Sequence, residues 1–193
     1  MRKIPTVFLR DWDNNPKHVT REPNPECAWV FAGAGDATRK YDGTCVMLDE
    51  HGDWWARREV KPGKTPPPGF VEVGRDEETG KAMGWEPIAQ SGFAKHFEQA
   101  LDHLRGSSAP TPPGTYELIG PKINGNPEHR DTHTLVCHAH AEISPDDRDH
   151  DLRTYDTIRD LVAGLATQNG WEGLVYHAPD GRMAKIKAKD FPA

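Results

Sequence analysis

The chain has 193 residues, with 24 Lys+Arg against 30 Asp+Glu, a formal net charge of −6, 35% apolar residues, 18 Gly and 17 Pro. That length builds one domain with a hydrophobic core and is short for two, so a single domain over 1–193 is expected. A mean hydropathy of −0.78 without an apolar run of about 18 residues excludes a spanning helix and hence a membrane partner. The acidic balance excludes a protein that coats nucleic acid through overall positive charge.

The opening MRKIPTVFLRDWDNN has no continuous apolar stretch and no small-residue cleavage site, so no secretory signal is expected. Three scattered cysteines, Cys27, Cys45 and Cys137, are an odd number and fit a reducing, cytoplasmic setting. Along the chain, the short apolar runs at 27–33 (CAWVFAG), 43–49 (GTCVMLD), 54–60 (WWARREV) and 69–74 (GFVEVG) are bounded by turn formers and read as strands. KPGKTPPPG at 61–69 is a breaker-rich connector, as is GSSAPTPPG at 106–114. Between them, Phe93, Phe97, Ala100, Leu101 and Leu104 make one helical stripe over 91–105, with Ser91 as its N-cap.

Further strands follow at 114–120 (GTYELIG) and 132–140 (THTLVCHAH). A second helix covers 154–169, with Ile158, Leu161, Val162 and Leu165 on one face, Thr154 or Asp156 at its start and Asn169-Gly170 as its stop. GLVYH at 173–177 and MAKIKAKDF at 183–191 are strands joined by a Pro179-Asp180-Gly181 turn. The expected fold is α+β, with antiparallel sheets flanked by packed helices.

The chemistry-bearing residues begin at Lys40-Tyr41-Asp42-Gly43-Thr44. A nucleophilic lysine must be neutral, and its ordinary pKa of about 10.4 requires burial or cationic neighbours to fall. As an isolated motif KxDG has three fixed positions and matches by chance, so a surface Lys before an Asp-Gly turn is the bland alternative. Its company is ordered: Trp55-Ala56-Arg57-Arg58, then Glu117 in TYELIG, then Glu172 in WEGLVY, then Lys185-Ile186-Lys187. Strand alternation puts Lys185 and Lys187 on one face, and Arg57 and Arg58 on opposite faces. His129, His133, Cys137, His138 and His140 also cluster, but without a paired C-x-x-C element they do not read as a zinc site. On a strand, His138 and His140 would share one face and Cys137 the other.

This order of KxDG, strand Glu-x-x-Gly, EGLV and KxK resembles the covalent nucleotidyltransferase superfamily of ATP-dependent DNA ligases, RNA ligases and mRNA capping enzymes. ELIGPKINGNPE, WEGLVYHAPDGRMAKIKAKDF and WARREVKPGK are also similar to segments of the small standalone 5'-3' RNA ligases of animals and some viruses. The resemblance implies a nucleotidyltransferase core without an appended OB domain, and an ATP-dependent joining of 5'-phosphate and 3'-hydroxyl RNA ends through a lysyl-AMP intermediate. Lys40 would be the nucleophile, with Lys185 and Lys187 as phosphate-facing cations. Asp42, Gly43, Arg57, Glu117 and Lys185 would bind the nucleotide, and Glu172 would bind it and hold Mg²⁺ or Mn²⁺. Arg58 competes with Arg57 for the phosphate, and His138 is a further candidate for the nucleotide pocket. The alternatives are a DNA ligase or capping-type enzyme, and a non-catalytic nucleotide- or RNA-binding module. Basic RREVKPGK and RMAKIKAK, set against an acidic flank at 142–160, would let an acidic chain present a positive face to RNA. Oligomeric state is not encoded in any of these features.

Overall fold

The computed structural model describes residues 3–77, 79–107, 109–144 and 153–192. In chain order the elements are β1 (Phe8–Asp11), β2 (Asn15–Pro23), α1 (Ala28–Phe31), β3 (Asp36–Lys40), β4 (Thr44–Leu48), β5 (Trp54–Val60) and β6 (Val71–Arg75). They continue with β7 (Ala82–Pro87), α2 (Ala94–Arg105), β8 (Gly114–Ile119), β9 (Thr134–Cys137), α3 (Tyr155–Asn169), β10 (Gly173–His177) and β11 (Met183–Lys187). The fold is mixed α and β with few helices, and every pairing between these strands is antiparallel. No described helix is long and apolar enough to cross a membrane.

Two units divide the chain, one from the described parts of 1–3 and 42–140, the other from those of 4–41 and 141–193. The second carries a three-stranded sheet ordered β11-β10-β3 and the β1-β2 pair. Its core gathers Val7, Phe8, Val30, Leu174, Tyr176 and Ile186 with Ile158, Val162 and Leu165 of α3. α3 starts as its sequence predicts: Thr154 Oγ1 accepts from Thr157 N–H and the Thr157 hydroxyl accepts from Thr154 N–H, a reciprocal cap. It stops at Gly170, whose φ of 68° is the left-handed turn that glycine adopts without cost. Thr154→Ala removes the cap and is expected to lower stability by about 1 kcal/mol, read as a drop in thermal midpoint.

Arg153 lies just before that cap, 6% exposed, and ties down the approach to β3. Its guanidinium donates to the carbonyls of Val30 (3.2 Å), Ala34 (2.9 Å) and Gly35 (2.9 Å). The other unit holds a six-stranded sheet ordered β6-β7-β5-β4-β8-β9. One of its faces packs Val46, Tyr116, Leu118 and Leu135 against Phe97 and Ala100 of α2.

Three local expectations are corrected. Residues 27–33 do not form a strand: Pro25–Cys27 make a 3-10 turn capped by Asn24 Oδ1 accepting from Glu26 N–H (3.1 Å), and α1 follows. A wholly apolar run has no period to separate strand from helix, and the Asn-Pro start signal lies just upstream of it. The helix over 91–105 begins at Ala94 with Phe93 at its cap, so Ser91 is not the capping side chain, although its carbonyl accepts from Ala94 N–H (3.2 Å). The strand over 132–140 ends at Cys137, and His138–His140 form a 3-10 turn, so strand alternation does not govern the two histidines. Of the acidic flank at 142–160, positions 145–152 lie outside the described residues.

Candidate functional site

Two clusters collect the candidate residues, each inside its own unit. In the three-stranded sheet, Gly173 of β10 stands opposite Lys40 of β3 on one side and Lys187 of β11 on the other. Directly opposed residues share a face of an antiparallel sheet, so the two lysines project together across a position without a side chain. Glycine is required there, because a Cβ would sit 2.1 Å from the Ile186 carbonyl oxygen. Glu172, one residue earlier, closes the cluster: its Oε2 accepts from Lys40 Nζ and its Oε1 from Lys187 Nζ, both at 2.6 Å. Lys189 Nζ lies 3.4 Å from the same Oε1.

Lys40 and Lys187 are about one-fifth exposed and the carboxylate 9% exposed, whereas Lys189 is 68% exposed. Burial pushes the Glu172 carboxyl up, but the charges and hydrogen bonds of Lys40 and Lys187 outweigh it and hold the group below the usual carboxylate range. A lowered folded pKa means stability that is fully present above the unfolded value of about 4.3 and is lost as pH falls through the folded value. Glu172→Gln is therefore expected to flatten the acid limb of the stability-against-pH curve, measured by denaturant unfolding between neutral and acidic pH.

Lys185 shares the face of Lys187, two residues along β11, while Ala184 and Ile186 point into the core at 0% exposure. The end of β11 is fixed by Asp190, whose Oδ2 accepts from Lys187 N–H (2.9 Å) and whose Oδ1 accepts from Arg10 (2.9 Å). Lys189 and Asp190 lie within the WEGLVYHAPDGRMAKIKAKDF segment, but the sequence reading gives neither a role. The K-x-K-x-K spacing is the sequence signal for Lys189, but it stands in a 3-10 turn over Ala188–Asp190, past the end of β11, so strand alternation does not place it, and Asp190 acts through a fold-back that no spacing announces.

In the other unit, Glu117 of β8 pairs with Cys45 of β4. Glu117 Oε1 accepts from Gly43 N–H (3.1 Å), and its Oε2 lies 3.1 Å from His138 Nε2. The opposite ring nitrogen, Nδ1, is 2.9 Å from Thr115 Oγ1. Gly43 admits no larger residue, since a Cβ would meet the Leu118 carbonyl at 2.3 Å. Asp42 is held by two residues of the INGNPE run: Asn124 donates to its Oδ1 (3.2 Å) and Glu128 Oε1 accepts its N–H (2.8 Å). Asn124 also donates to the Gly43 carbonyl at 2.7 Å. Asn124, Gly125 and Asn126 all have positive φ, a run that asparagine and glycine tolerate best.

Sheet register settles the two arginines. Cys45 pairs with Glu117 and Met47 with Trp55, so Arg57, two residues beyond Trp55, stands on the Glu117 face. Its guanidinium contacts Met83 Sδ at 3.4 Å. Arg58 stands on the opposite face and lies 3.8 Å from the buried Glu86 carboxylate. The histidine-rich run disperses: His133 stacks on His96 with ring centroids 4.6 Å apart, and His138 joins Glu117.

Chemically, the first cluster offers three cations around one carboxylate, suited to phosphate oxygens once that carboxylate is otherwise engaged. The second offers a carboxylate held by a backbone N–H, with an arginine on the same sheet face, suited to hydroxyl and phosphate groups. No protein-family model and no curated protein matches the chain.

Proposed function

We propose that this chain is an ATP-dependent RNA ligase built on a nucleotidyltransferase core, with Lys40 as its nucleophile. The observation that carries this is the row Lys40–Gly173–Lys187 with Glu172 bridging both amines at 2.6 Å. Lys40 of KxDG, Glu172 of EGLV and Lys187 of KxK, up to 147 positions apart between Lys40 and Lys187, meet in one patch at the three-stranded sheet. A surface lysine before a turn gives no reason for that convergence.

In the proposed reaction Lys40 first loses a proton to solvent, a loss that the neighbouring Lys187 ammonium favours. Neutral Nζ then attacks the α-phosphorus of ATP: an N–P bond forms, the bond to the bridging oxygen breaks and pyrophosphate leaves. A 5'-phosphate oxygen of RNA next attacks the adenylyl phosphorus, releasing Lys40 and capping the RNA end with AMP. A 3'-hydroxyl then attacks the RNA 5'-phosphorus, losing its proton and expelling AMP. Lys185 and Lys187 stabilise charge on the phosphates, where fixed cations act most strongly. Glu117 accepts from ribose hydroxyls beside the Gly43 turn, and Asp42 is kept in place by Asn124 and Glu128.

A single largely buried carboxylate suits Mg²⁺ or Mn²⁺, which keep several waters and share nucleotide phosphates, so Glu172 is the residue that would hold the ion. The ion would supply charge neutralisation at the phosphates. The experiment is a ligation assay with 5'-phosphorylated, 3'-hydroxyl RNA, ATP and Mg²⁺, run beside GTP and beside DNA of the same sequence. RNA joined only with ATP is expected. DNA joined in preference to RNA, or guanylyl transfer in preference to adenylyl, would assign one of the neighbouring activities instead.

A further inference from the structure

We propose that Cys45, Glu117 and His138 form a three-ligand site for Zn²⁺. Their sulfur, carboxylate and imidazole ligand atoms all lie within 4.8 Å of one another, the one such group among the described residues. None of the roles argued above uses Cys45, and the histidine-rich run predicts neither the thiol nor the carboxylate as companions of His138. The three come from different elements: Cys45 from β4, Glu117 from its register partner in β8, and His138 from the turn after β9.

The donor set is one that zinc takes: a thiolate at about 2.3 Å, an imidazole nitrogen at about 2.0–2.1 Å and a carboxylate oxygen at about 2.0–2.2 Å. Two such N and O ligands at a tetrahedral angle stand about 3.4 Å apart. His138 Nε2 and Glu117 Oε2 are already 3.1 Å apart, so an ion enters between them with little movement. The thiol then closes in by at most about 1.3 Å, from the 4.8 Å limit to the roughly 3.5 Å of a tetrahedral S···N or S···O pair, losing its proton to solvent as metal-bound cysteines do.

The supporting contacts also fit. Thr115 Oγ1, 2.9 Å from His138 Nδ1, can accept that ring N–H and so turn the Nε2 lone pair toward the ion, as a neighbour of a metal-bound histidine does. Gly43 N–H holds the other Glu117 oxygen. Three protein ligands leave the fourth tetrahedral position to water. His138 at 27% exposure and Glu117 at 12% leave the ion a route from solvent. An ion here would take the Glu117 oxygen from a ribose hydroxyl; that consequence rests on the ligase proposal, whereas the site itself does not.

The test is titration of the metal-free, reduced full-length protein with Co²⁺ as a spectroscopic stand-in, followed by displacement with Zn²⁺. One equivalent of Co²⁺ is expected to give a thiolate-to-cobalt charge-transfer band that Zn²⁺ abolishes. Cys45→Ser should remove the band, and His138→Gln should weaken Zn²⁺ binding at least tenfold. Cys137→Ser, which alters the neighbouring thiol, should keep both, with unchanged circular dichroism showing that each variant is folded. Absence of the band in the wild type, or a band that survives in Cys45→Ser, overturns the site. These readouts do not require nucleotide chemistry, so they stand apart from success or failure of the ligation assay.

Discussion

Lys40→Ala is expected to reduce RNA joining on the order of 10⁴-fold or more, the scale seen when a covalent nucleophile is deleted. Stability should change far less. The Lys40 amine is one of two that Glu172 holds at 2.6 Å, and Lys187 remains to pair the carboxylate, with Lys189 at 3.4 Å. The loss of one pair from a partly solvated cluster is expected to cost about 1 kcal/mol. Lys40→Arg separates the two effects more sharply. A guanidinium keeps the positive charge beside Glu172 but stays protonated and cannot attack phosphorus. It should restore stability and leave joining as low as in the alanine variant. An arginine variant that joined RNA at near the wild-type rate would remove Lys40 from the role of nucleophile.

Gly173→Ala is expected to be the most damaging small substitution in the three-stranded sheet. Its Cβ would lie 2.1 Å from the Ile186 carbonyl oxygen and 2.7 Å from the Lys187 Cα. Both are backbone atoms of the adjacent strand, so relief requires moving β11 rather than rotating a side chain. Overpacking against backbone costs typically about 1–3 kcal/mol, and more where the chain cannot yield. We expect about 3 kcal/mol or more by urea unfolding, accompanied by loss of joining because β11 carries Lys185 and Lys187. Gly164→Ala in α3 is the natural counterpart. A Cβ there would meet nothing within 4 Å, and its φ is not positive, so the change should stabilise by about 0.5–1 kcal/mol through helix propensity. The pair distinguishes a glycine needed for close approach from one merely tolerated.

Where local chemistry decides, the sequence was informative. Thr154 and Gly170 bound α3 because a cap and a left-handed stop are short-range devices, and the alternation of Lys185, Ile186 and Lys187 needs only the pleat of one strand. Features set by distant partners were hidden. β3 reads DATRK, with only Ala37 and Thr38 buried, and is a strand because β10 pairs with it along its whole length. Asn124 and Glu128 stood in a motif but reach Asp42 from more than 80 positions away. The choice between Arg57 and Arg58 needed a register running through three strands. Cys45 and His138 meet at Glu117 only because β4, β8 and β9 are neighbours.

Mass mapping of the protein after incubation with ATP and Mg²⁺ in the absence of RNA tests for the lysyl-adenylate itself. One AMP per chain is expected, located by peptide fragmentation on Lys40 and discharged when 5'-phosphorylated RNA is added. A chain that gains no AMP, or that carries it on a residue other than Lys40, is not a ligase with Lys40 as nucleophile.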